Sequence, residues 1–393
     1  MRKLGLAGAA LAVLTGVSVV AQSGKSIINL GPPPIGPYST AVGAGDFVHV
    51  SGALSTGEDG KIAGATAAEQ TTLILQRMAK VLEASGSSLS NAASVMVYLT
   101  KASDFAGMNE AYRAFWPKDP PTRTTVVTDL VLPGALVEIS MVAIRTGRER
   151  TVVHPAGWLT SPNPYSYGIR SGDTLFLSGL ISRNGRDNSI VEGDMTVQVK
   201  TVMANASEIL KAAGLSHDDV VSAKVYITDT ARFQEMNAAY RPYFAKQMPA
   251  RATVKAALTG PQYLVEVTMI AVAGRKEAIN TSDPPSPNLS AAIRAGGRLF
   301  VSGMLGTTEA TKGDPAAQAR ETLARIDKTL AAAGYARADV VEGLVYLTDV
   351  ANFAAMNDAY RAFFAKDFPA RATVRADLVA PDGLVEIMVT ASR

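Results

Sequence analysis

An arginine and a glutamate recur three times along the chain in closely similar local sequences. The arginine follows a Pro-Thr or Pro-Ala pair, and the glutamate of an LVE triplet lies 15 positions further on (138 − 123): Arg123 and Glu138, Arg251 and Glu266, Arg371 and Glu386. A planar guanidinium can bind a carboxylate through two parallel hydrogen bonds. A carboxylate inside an apolar strand costs free energy unless it is paired or protonated. Two interpretations are open: an interface ion pair, or a site in which arginine binds a carboxylate ligand and glutamate acts as a general base on water.

Other polar residues recur with the same spacing. A serine followed by glycine ends a predicted strand in each copy, and glycine there permits close approach of the backbone to a ligand. A tyrosine lies 13 positions before this serine in two copies, where it either caps a pocket or simply packs. The third copy has Leu289 instead. The full set is Tyr38, Ser51, Gly52, Asn109, Thr125, Tyr165, Ser178, Gly179, Asn237, Thr253, Ser302, Gly303, Asn357 and Thr373.

The recurrence extends over whole segments, so the chain is an internal repeat of domain-sized units. DFAGMNEAYRAFW, RFQEMNAAYRPYF and NFAAMNDAYRAFF precede the three arginines, and FVHVSG, LFLSG and LFVSG lie further upstream. The period of 128 and then 120 residues (251 − 123 and 371 − 251) is that of a domain and not of a solenoid repeat. We predict three domains at 26–147, 153–274 and 281–393, with Pro-containing linkers at 147–163 and 274–288.

Periodicity in the first copy predicts an α+β layer. Strands are expected at 47–54, 93–100, 124–130 and 136–144, and helices at 67–85 and 103–116. Gly86, Gly214 and Gly334 occupy the place of helix C-cap glycines. With both helices on one face, apolar residues such as Val126 and Ile139 would lie on the other face and need a partner. We therefore expect the three sheets to pack around a pseudo-threefold axis within a monomer. The arginine and glutamate of a copy, on neighbouring strands, would meet at a seam between domains.

Composition excludes several kinds of site. The 393 residues include no cysteine, which excludes disulfides, thiolate metal sites and a cysteine nucleophile. The net charge of +3, with Lys and Arg spread along the chain, does not indicate a nucleic-acid partner. Of the three histidines, His49 stands where Phe176 and Phe300 stand in the other copies, which indicates packing. His154 falls in a linker and His217 in an HDD turn, so no metal site is predicted.

The N-terminus has the pattern of an export signal. A basic start at Arg2-Lys3 precedes an apolar run from Leu4 to Val20 and a small-residue cleavage sequence before Gln22. The alternative is a retained membrane anchor, but the run is Gly-rich and no stop-transfer charges follow it. We expect residues 1–22 to be a cleaved signal peptide and the protein to be periplasmic or secreted.

The motifs IGPYS, VSG, DFAxMNxxYxxFF, PARAT and LPxxxLVEI together resemble the RidA/YjgF-like reactive intermediate deaminase family, three times over. The resemblance implies a chorismate-mutase-like fold with ligand clefts between subunits. It implies hydrolysis of 2-imino acids and enamines to 2-oxo acids and ammonia, without metal or organic cofactor. By resemblance, the three arginines hold the substrate carboxylate and the three glutamates orient water. The tyrosine, Ser-Gly, Asn and Thr positions would line the cleft.

Two functions other than deamination are compatible with the sequence. One is a non-catalytic exported binder of small carboxylates that uses the same arginines. The other is a structural or chaperone-like module. Retention of Arg and Glu in all three copies favours a ligand site over the structural module. The expected partner is a small 2-imino or 2-oxo acid, with no nucleic acid and no membrane after signal cleavage.

Overall fold

The computed structural model describes residues 24–282 and 284–393, which form three β-sheets, each backed by two α-helices. The expected α+β fold with three tandem domains is confirmed. The predicted signal peptide at 1–22 lies outside the described residues. Among the helices that are described, none has the length and apolarity needed to cross a bilayer.

The first sheet sets the pattern for all three. Its chain order is β1 (Ser26–Ile28), β2 (Ala41–Ala44), β3 (Phe47–Ala53), α1 (Ala67–Ala84), β4 (Ala92–Leu99), α2 (Phe105–Phe115), β5 (Thr122–Val127) and β6 (Val137–Ile144). In space the order is β1-β2-β3-β6-β4-β5. Strand β4 pairs in parallel with β5, which carries Arg123, and antiparallel with β6, which carries Glu138. It therefore lies between these two strands.

The second and third units repeat this arrangement. The second contains β7 (Thr151–Val153), β8 (Gly168–Ser171), β9 (Thr174–Leu177), α3 (Met195–Ala212), β10 (Val220–Ile227), α4 (Phe233–Tyr240), β11 (Ala250–Lys255), β12 (Ala257–Leu258) and β13 (Val265–Val272). The third contains β14 (Lys276–Ile279), β15 (Ala292–Ala295), β16 (Arg298–Leu305), α5 (Pro315–Ala332), β17 (Val340–Leu347), α6 (Phe353–Phe364), β18 (Ala370–Arg375), β19 (Asp377–Leu378) and β20 (Val385–Ser392).

Local sequence explains the long helix of the first unit. Thr66 caps its N-terminus and forms a reciprocal capping box with Glu69. Ile74, Met78 and Leu82 lie on one face and are fully buried against the sheet. Gly86 ends the helix with φ of +74°, a conformation that costs glycine little. The second helix begins at Phe105 and not at 103 as predicted, because residues 102–104 form a 3₁₀ turn.

The two predicted linkers also contribute to the sheets. Strand β7 lies within 147–163 and pairs with β8, and β14 lies within 274–288 and pairs with β15. Each therefore supplies an edge strand to the following unit, as β1 does in the first. The linker interpretation missed these strands because each has only three or four residues beside prolines and charged residues.

Short strands also join the units across their seams. Strand β12 of the second unit pairs with β5 of the first, and β19 of the third pairs with β11 of the second. The last seam is closed by the bridge between Leu130 and Val374. The chain thus forms a ring of three units in which every unit contacts the other two.

The sheet faces opposite the helices pack together at the centre of this ring. Tyr98, Tyr226 and Tyr346 are fully buried there, and the Tyr226 and Tyr346 hydroxyls lie 2.9 Å apart. Val126 belongs to this central cluster, as expected. Ile139 does not: it packs under the helices of the first unit. Because side chains alternate along a strand, placing Glu138 on the seam side turns Ile139 to the helix side.

His49 is not only a packing residue. Its Nδ1 lies 3.0 Å from Oε2 of Glu342, in another unit, whereas Phe176 and Phe300 at the same position are buried in apolar clusters. Burial alone would raise the pKa of Glu342, but the hydrogen bond and charge of His49 bring that pKa below its ordinary value. The histidine therefore adds a polar contact at one seam.

Candidate active site at the seams between repeats

Each arginine meets the glutamate of a different repeat. Arg123 shares a cleft with Glu266, and Arg371 shares one with Glu138. Arg251 is the cation that acts on Glu386. The expectation that an arginine and the glutamate 15 positions later meet on neighbouring strands is therefore wrong. Within a sheet, β4 or its equivalent lies between the arginine strand and the glutamate strand. The arginine and the glutamate of one repeat therefore reach two different seams.

The serines hold the arginine strands across the seams. Ser178 Oγ accepts a hydrogen bond of 2.9 Å from the backbone amide of Arg123 and donates one of 2.7 Å to the carbonyl of Ser166. Ser302 makes the same contact with Arg251, and Ser51 makes it with Arg371. These hydroxyls are buried and hydrogen-bonded to the backbone. They position the arginine strand of the neighbouring repeat.

The guanidinium groups are buried without a carboxylate partner. Among residues 24–282 and 284–393, none of the three arginines forms an ion pair. Each lies over a tyrosine ring, at 4.7–5.1 Å from the centroid: Tyr112, Tyr240 or Tyr360. Burial lowers the pKa of each arginine, but a guanidinium starts so far above neutrality that it stays charged. The interface ion pair considered from sequence is thus not formed.

The asparagines orient two of the three guanidiniums. Asn237 Oδ1 accepts a 2.7 Å hydrogen bond from Arg251 Nη2, and Asn357 does the same for Arg371. In the first repeat, Asn109 instead donates to Asn163 Oδ1 at 3.3 Å. Asn163 occupies the place of Gly36, whose Cα lies so close to Arg371 that an added Cβ would be 2.6 Å from Nη2.

The three glutamates are buried carboxyl groups with strongly raised pKa values. Burial raises the pKa of Glu138, Glu266 and Glu386 to about 8 in each case. The backbone amide of Thr125 points at Glu266 Oε1 from 3.4 Å and, with the Arg123 charge, partly offsets the effect of burial. A carboxyl with a pKa near the working pH can both accept and return a proton.

The glycine of each Ser-Gly pair leaves space for one of these glutamate carboxyl groups. A Cβ built on Gly52, Gly179 or Gly303 would lie 1.9, 2.0 or 1.8 Å from Oε1 of the glutamate in the same unit. The sequence predicted close approach of the glycine backbone to a ligand. The group that approaches it here is the carboxylate, which has room only because no side chain is present.

Gly179→Ala should therefore displace Glu266. In a chain that retains only the Arg123–Glu266 pair, we expect the rate of any reaction that depends on Glu266 to fall by about 100-fold. A catalytic group misplaced by about 1 Å can lose that factor in rate. Gly107→Ala is the matched control, since its Cβ would meet Ala68 Cβ at an ordinary 3.8 Å. Turnover by G179A equal to that of G107A, with both chains folded by thermal unfolding, would contradict this role.

Tyr38 and Tyr165 each line the cleft at their own seam. Tyr38, Thr373 and Gly52 face a space of about 20 Å³ beside Arg371 and Glu138, which holds about one water molecule. Tyr165, Thr125 and Gly179 line a cavity of about 230 Å³ beside Arg123 and Glu266. In the third repeat, Leu289 stands at the tyrosine position, and the adjacent Ser290 keeps the same bonds to the neighbouring repeat. The Thr253 hydroxyl, beside Arg251, is buried without a hydrogen-bond partner among the described residues.

Several lining residues were missed from sequence. Phe105 and Phe353 flank the arginines, and Arg183, Gln262 and Tyr263 line the large cavity. Arg183 and Gln262 differ from their counterparts in the other copies, so comparing repeats position by position would have drawn attention to them. Among the described residues, no group of His, Asp and Glu is arranged to hold a metal ion.

Comparisons with known proteins agree with the internal repeat. A family profile described as Endoribonuclease L-PSP matches residues 29–145, 158–273 and 281–393. A RutC family protein of Sulfurisphaera tokodaii is 41% identical over 111 residues, which are 28% of this chain and 89% of that protein. A Rid family protein of unknown function, YyfA from Yersinia pestis, is 29% identical and covers 32% of this chain and all of its own, with a TM-score of 0.31.

One solved structure resembles most of the chain at once. A chorismatase covers 77% of this chain and 93% of its own length at a TM-score of 0.50. At 16% identity the likeness concerns the fold alone. It extends over more than two of the three repeats.

Proposed function

The chain belongs to the family described as Endoribonuclease L-PSP, as three tandem RidA/YjgF-like domains, and on that premise we propose that its seams hydrolyse 2-imino acids to 2-oxo acids and ammonia. The observation that carries the proposal is the Arg123–Glu266 cleft. It combines a buried guanidinium that forms no ion pair with any described residue, a carboxyl of raised pKa and a cavity of about 230 Å³ lined by both. These groups match what an imino acid needs: a cation for its carboxylate and a base for the attacking water.

The reaction can be written with these residues alone. Arg123 binds the substrate carboxylate and Glu266 faces the C2 carbon through a water molecule. The water oxygen bonds to C2 as the glutamate carboxylate takes a proton and the C=N π electrons move to nitrogen. The resulting carbinolamine receives that proton on nitrogen, and the C–N bond breaks to release ammonia. The glutamate carboxylate takes the hydroxyl proton as C=O forms and passes it to the ammonia. An iminium ion and water thus give a 2-oxo acid and ammonium.

The buried tyrosine contributes an uncharged hydroxyl and a flat wall. Burial raises the pKa of Tyr165, so the group stays protonated at neutral pH. Tyr38 takes the same place above Arg371, with the guanidinium 5.3 Å from its ring centroid. We assign both tyrosines to the wall that orients the substrate between arginine and glutamate.

The glutamate separates this proposal from that of a simple carboxylate binder. A binder needs the arginine but gains nothing from a buried carboxyl, which costs free energy and would repel an anionic ligand when ionised. All three seams nevertheless retain the carboxyl, with a glycine making room for it. The balanced net charge of +3 likewise gives no support for RNA as substrate.

The direct test is hydrolysis of 2-iminobutyrate. The imine is generated from 2-aminobutyrate by an amino-acid oxidase with catalase, and semicarbazide traps what has not been hydrolysed. We expect the protein to accelerate imine loss by about 10² or more, the usual contribution of a positioned general base. Binding of 2-oxobutyrate without any acceleration would leave only the binder.

A further inference from the structure

The cleft between the first and second repeats differs from its counterparts by a second cation. Arg183 lines the same cavity as Arg123 and Glu266. It stands four positions after Gly179, where the other repeats have Thr56 after Gly52 and Thr307 after Gly303. The cavity beside Arg123 and Glu266 is thus lined by two arginines, whereas the space beside Arg371 and Glu138 is lined by Arg371 as the only arginine among the described residues.

Arg183 is held in place but keeps donors for a ligand. Its Nε donates to the carbonyl of Asn188 at 3.1 Å, and its own carbonyl accepts from Asn205. The turn is closed by the bridge between Arg183 and Ile190. In the part of the chain that the structure describes, its two Nη groups donate to no protein acceptor and it has no carboxylate partner. Both Arg183 and Arg123 act electrostatically on Tyr165, which lines the same cavity.

Three further positions around this cavity carry polar side chains where the first repeat has an apolar residue or glycine. Thr259 and Gln262 stand at the positions of Val131 and Gly134 in the first repeat, and Asn163 stands at that of Gly36. The cleft beside Arg371 has Val131 at one of these positions and is also lined by Ile35, whereas its Leu54 is matched by Ile181 in the larger cavity. A second carboxylate in the cleft beside Arg371 would lose its hydration without a countercharge, which costs several kcal/mol.

We propose that the Arg123–Glu266 cleft is specific for 2-imino acids with a second carboxylate, which Arg183 binds. The inference rests on the proposed function for the identity of the reacting group. The two guanidiniums match the two negative charges of such a substrate, and the 230 Å³ cavity gives room for the longer side chain.

The test measures binding of 2-oxo acids, the proposed products, and needs no turnover. In R251M/R371M, which keeps only Arg123, calorimetry should give at least about tenfold tighter binding of 2-oxoglutarate than of 2-oxobutyrate. In R123M/R251M, which keeps only Arg371, this preference should be absent. Adding R183T to the first variant should abolish its preference, and R183K, which keeps the charge without the planar fork, should give an intermediate ratio. R186T removes an exposed arginine from the same loop and should leave the ratio as it was.

The outcomes separate this inference from the proposed function. An R183T variant that keeps its preference, or loses affinity for both acids equally, would overturn the specificity assignment even if imines are hydrolysed. A preference that depends on Arg183, found in a protein that accelerates no imine hydrolysis, would support the assignment and refute deamination. Failure of both acids to bind the folded R251M/R371M chain would also overturn the assignment.

Discussion

Replacing all three cleft arginines, as R123M/R251M/R371M, is expected to remove imine hydrolysis and 2-oxo acid binding together. Each guanidinium is the cation that would pair with a substrate carboxylate in its cleft. Removing one partner of a buried charge pair costs about 2–5 kcal/mol. At about 1.4 kcal/mol per tenfold change, kcat/KM should fall by about 30- to 4,000-fold.

The fold should tolerate this change because several buried donors of these arginines are not used within the fold. Arg251 Nε and Nη1 and Arg371 Nε have no hydrogen-bond partner among the described residues. Methionine is flexible enough to fill the same space beside the tyrosine ring. Replacing a buried ionic group with a well-packed apolar one is often neutral or stabilising. Thermal unfolding of the triple variant should therefore stay close to that of the parent.

Single and double variants divide the activity among the seams. Arg275→Met, which removes an exposed arginine, is the control for loss of one positive charge. R123M should abolish only the contribution of the cleft that contains Glu266, and R371M only that of the cleft that contains Glu138. If the triple variant retains the parent kcat/KM while remaining folded, the arginines do not bind substrate and the proposed function is wrong.

Much of the fold could be predicted because the same sequence pattern occurs in three repeats. Buried positions at helical spacing, such as Ile74 and Met78, and the glycine at 86 located the long helix within a residue of its ends. The need to cover the second sheet face predicted the central packing. The short edge strands β7 and β14 escaped because three or four residues carry too little periodicity.

The partner of each catalytic candidate could not be predicted from sequence. The residue types and their recurrence identified Arg and Glu, but strand order decides which arginine meets which glutamate. The insertion of β4 between β5 and β6 is a long-range pairing that local pattern does not specify. The glycine beside each glutamate is a second example of a contact that the sequence does not specify. The sequence predicts close approach of a ligand to Gly52, but in the fold the group that approaches this glycine is the Glu138 carboxyl.

Replacing the three glutamates, as E138Q/E266Q/E386Q, should remove catalysis while keeping ligand binding. Glutamine keeps the shape and cannot take a proton from water. Loss of a general base costs about 10²–10⁴ in rate. Affinity for 2-oxobutyrate should hold or improve, because no ionised carboxylate then faces the ligand. Equal losses of binding and turnover would instead assign the glutamates a structural role.

The parent protein should show a matching pH dependence. Because burial raises the pKa of each glutamate to about 8, the carboxylate that accepts a proton from water is a minor species at pH 6. We expect kcat/KM to rise by about tenfold per pH unit up to about pH 8 and then to level. The residual activity of the glutamine variant should lack this rise. A parent profile that is flat between pH 6 and 8 would contradict a general base of this pKa.

Folding stability should respond to the same three groups with the opposite trend. The pKa of each glutamate is raised on folding from 4.5 to about 8, so the folded state binds protons more tightly. Their favourable contribution is complete below pH 4.5 and is lost as pH rises through about 8. Denaturant unfolding of the parent should therefore show a free energy of unfolding that declines across this window, and the triple glutamine variant should decline less. Because activity rises over the same interval in which stability falls, the two measurements together distinguish a buried base from a carboxyl that the fold merely tolerates.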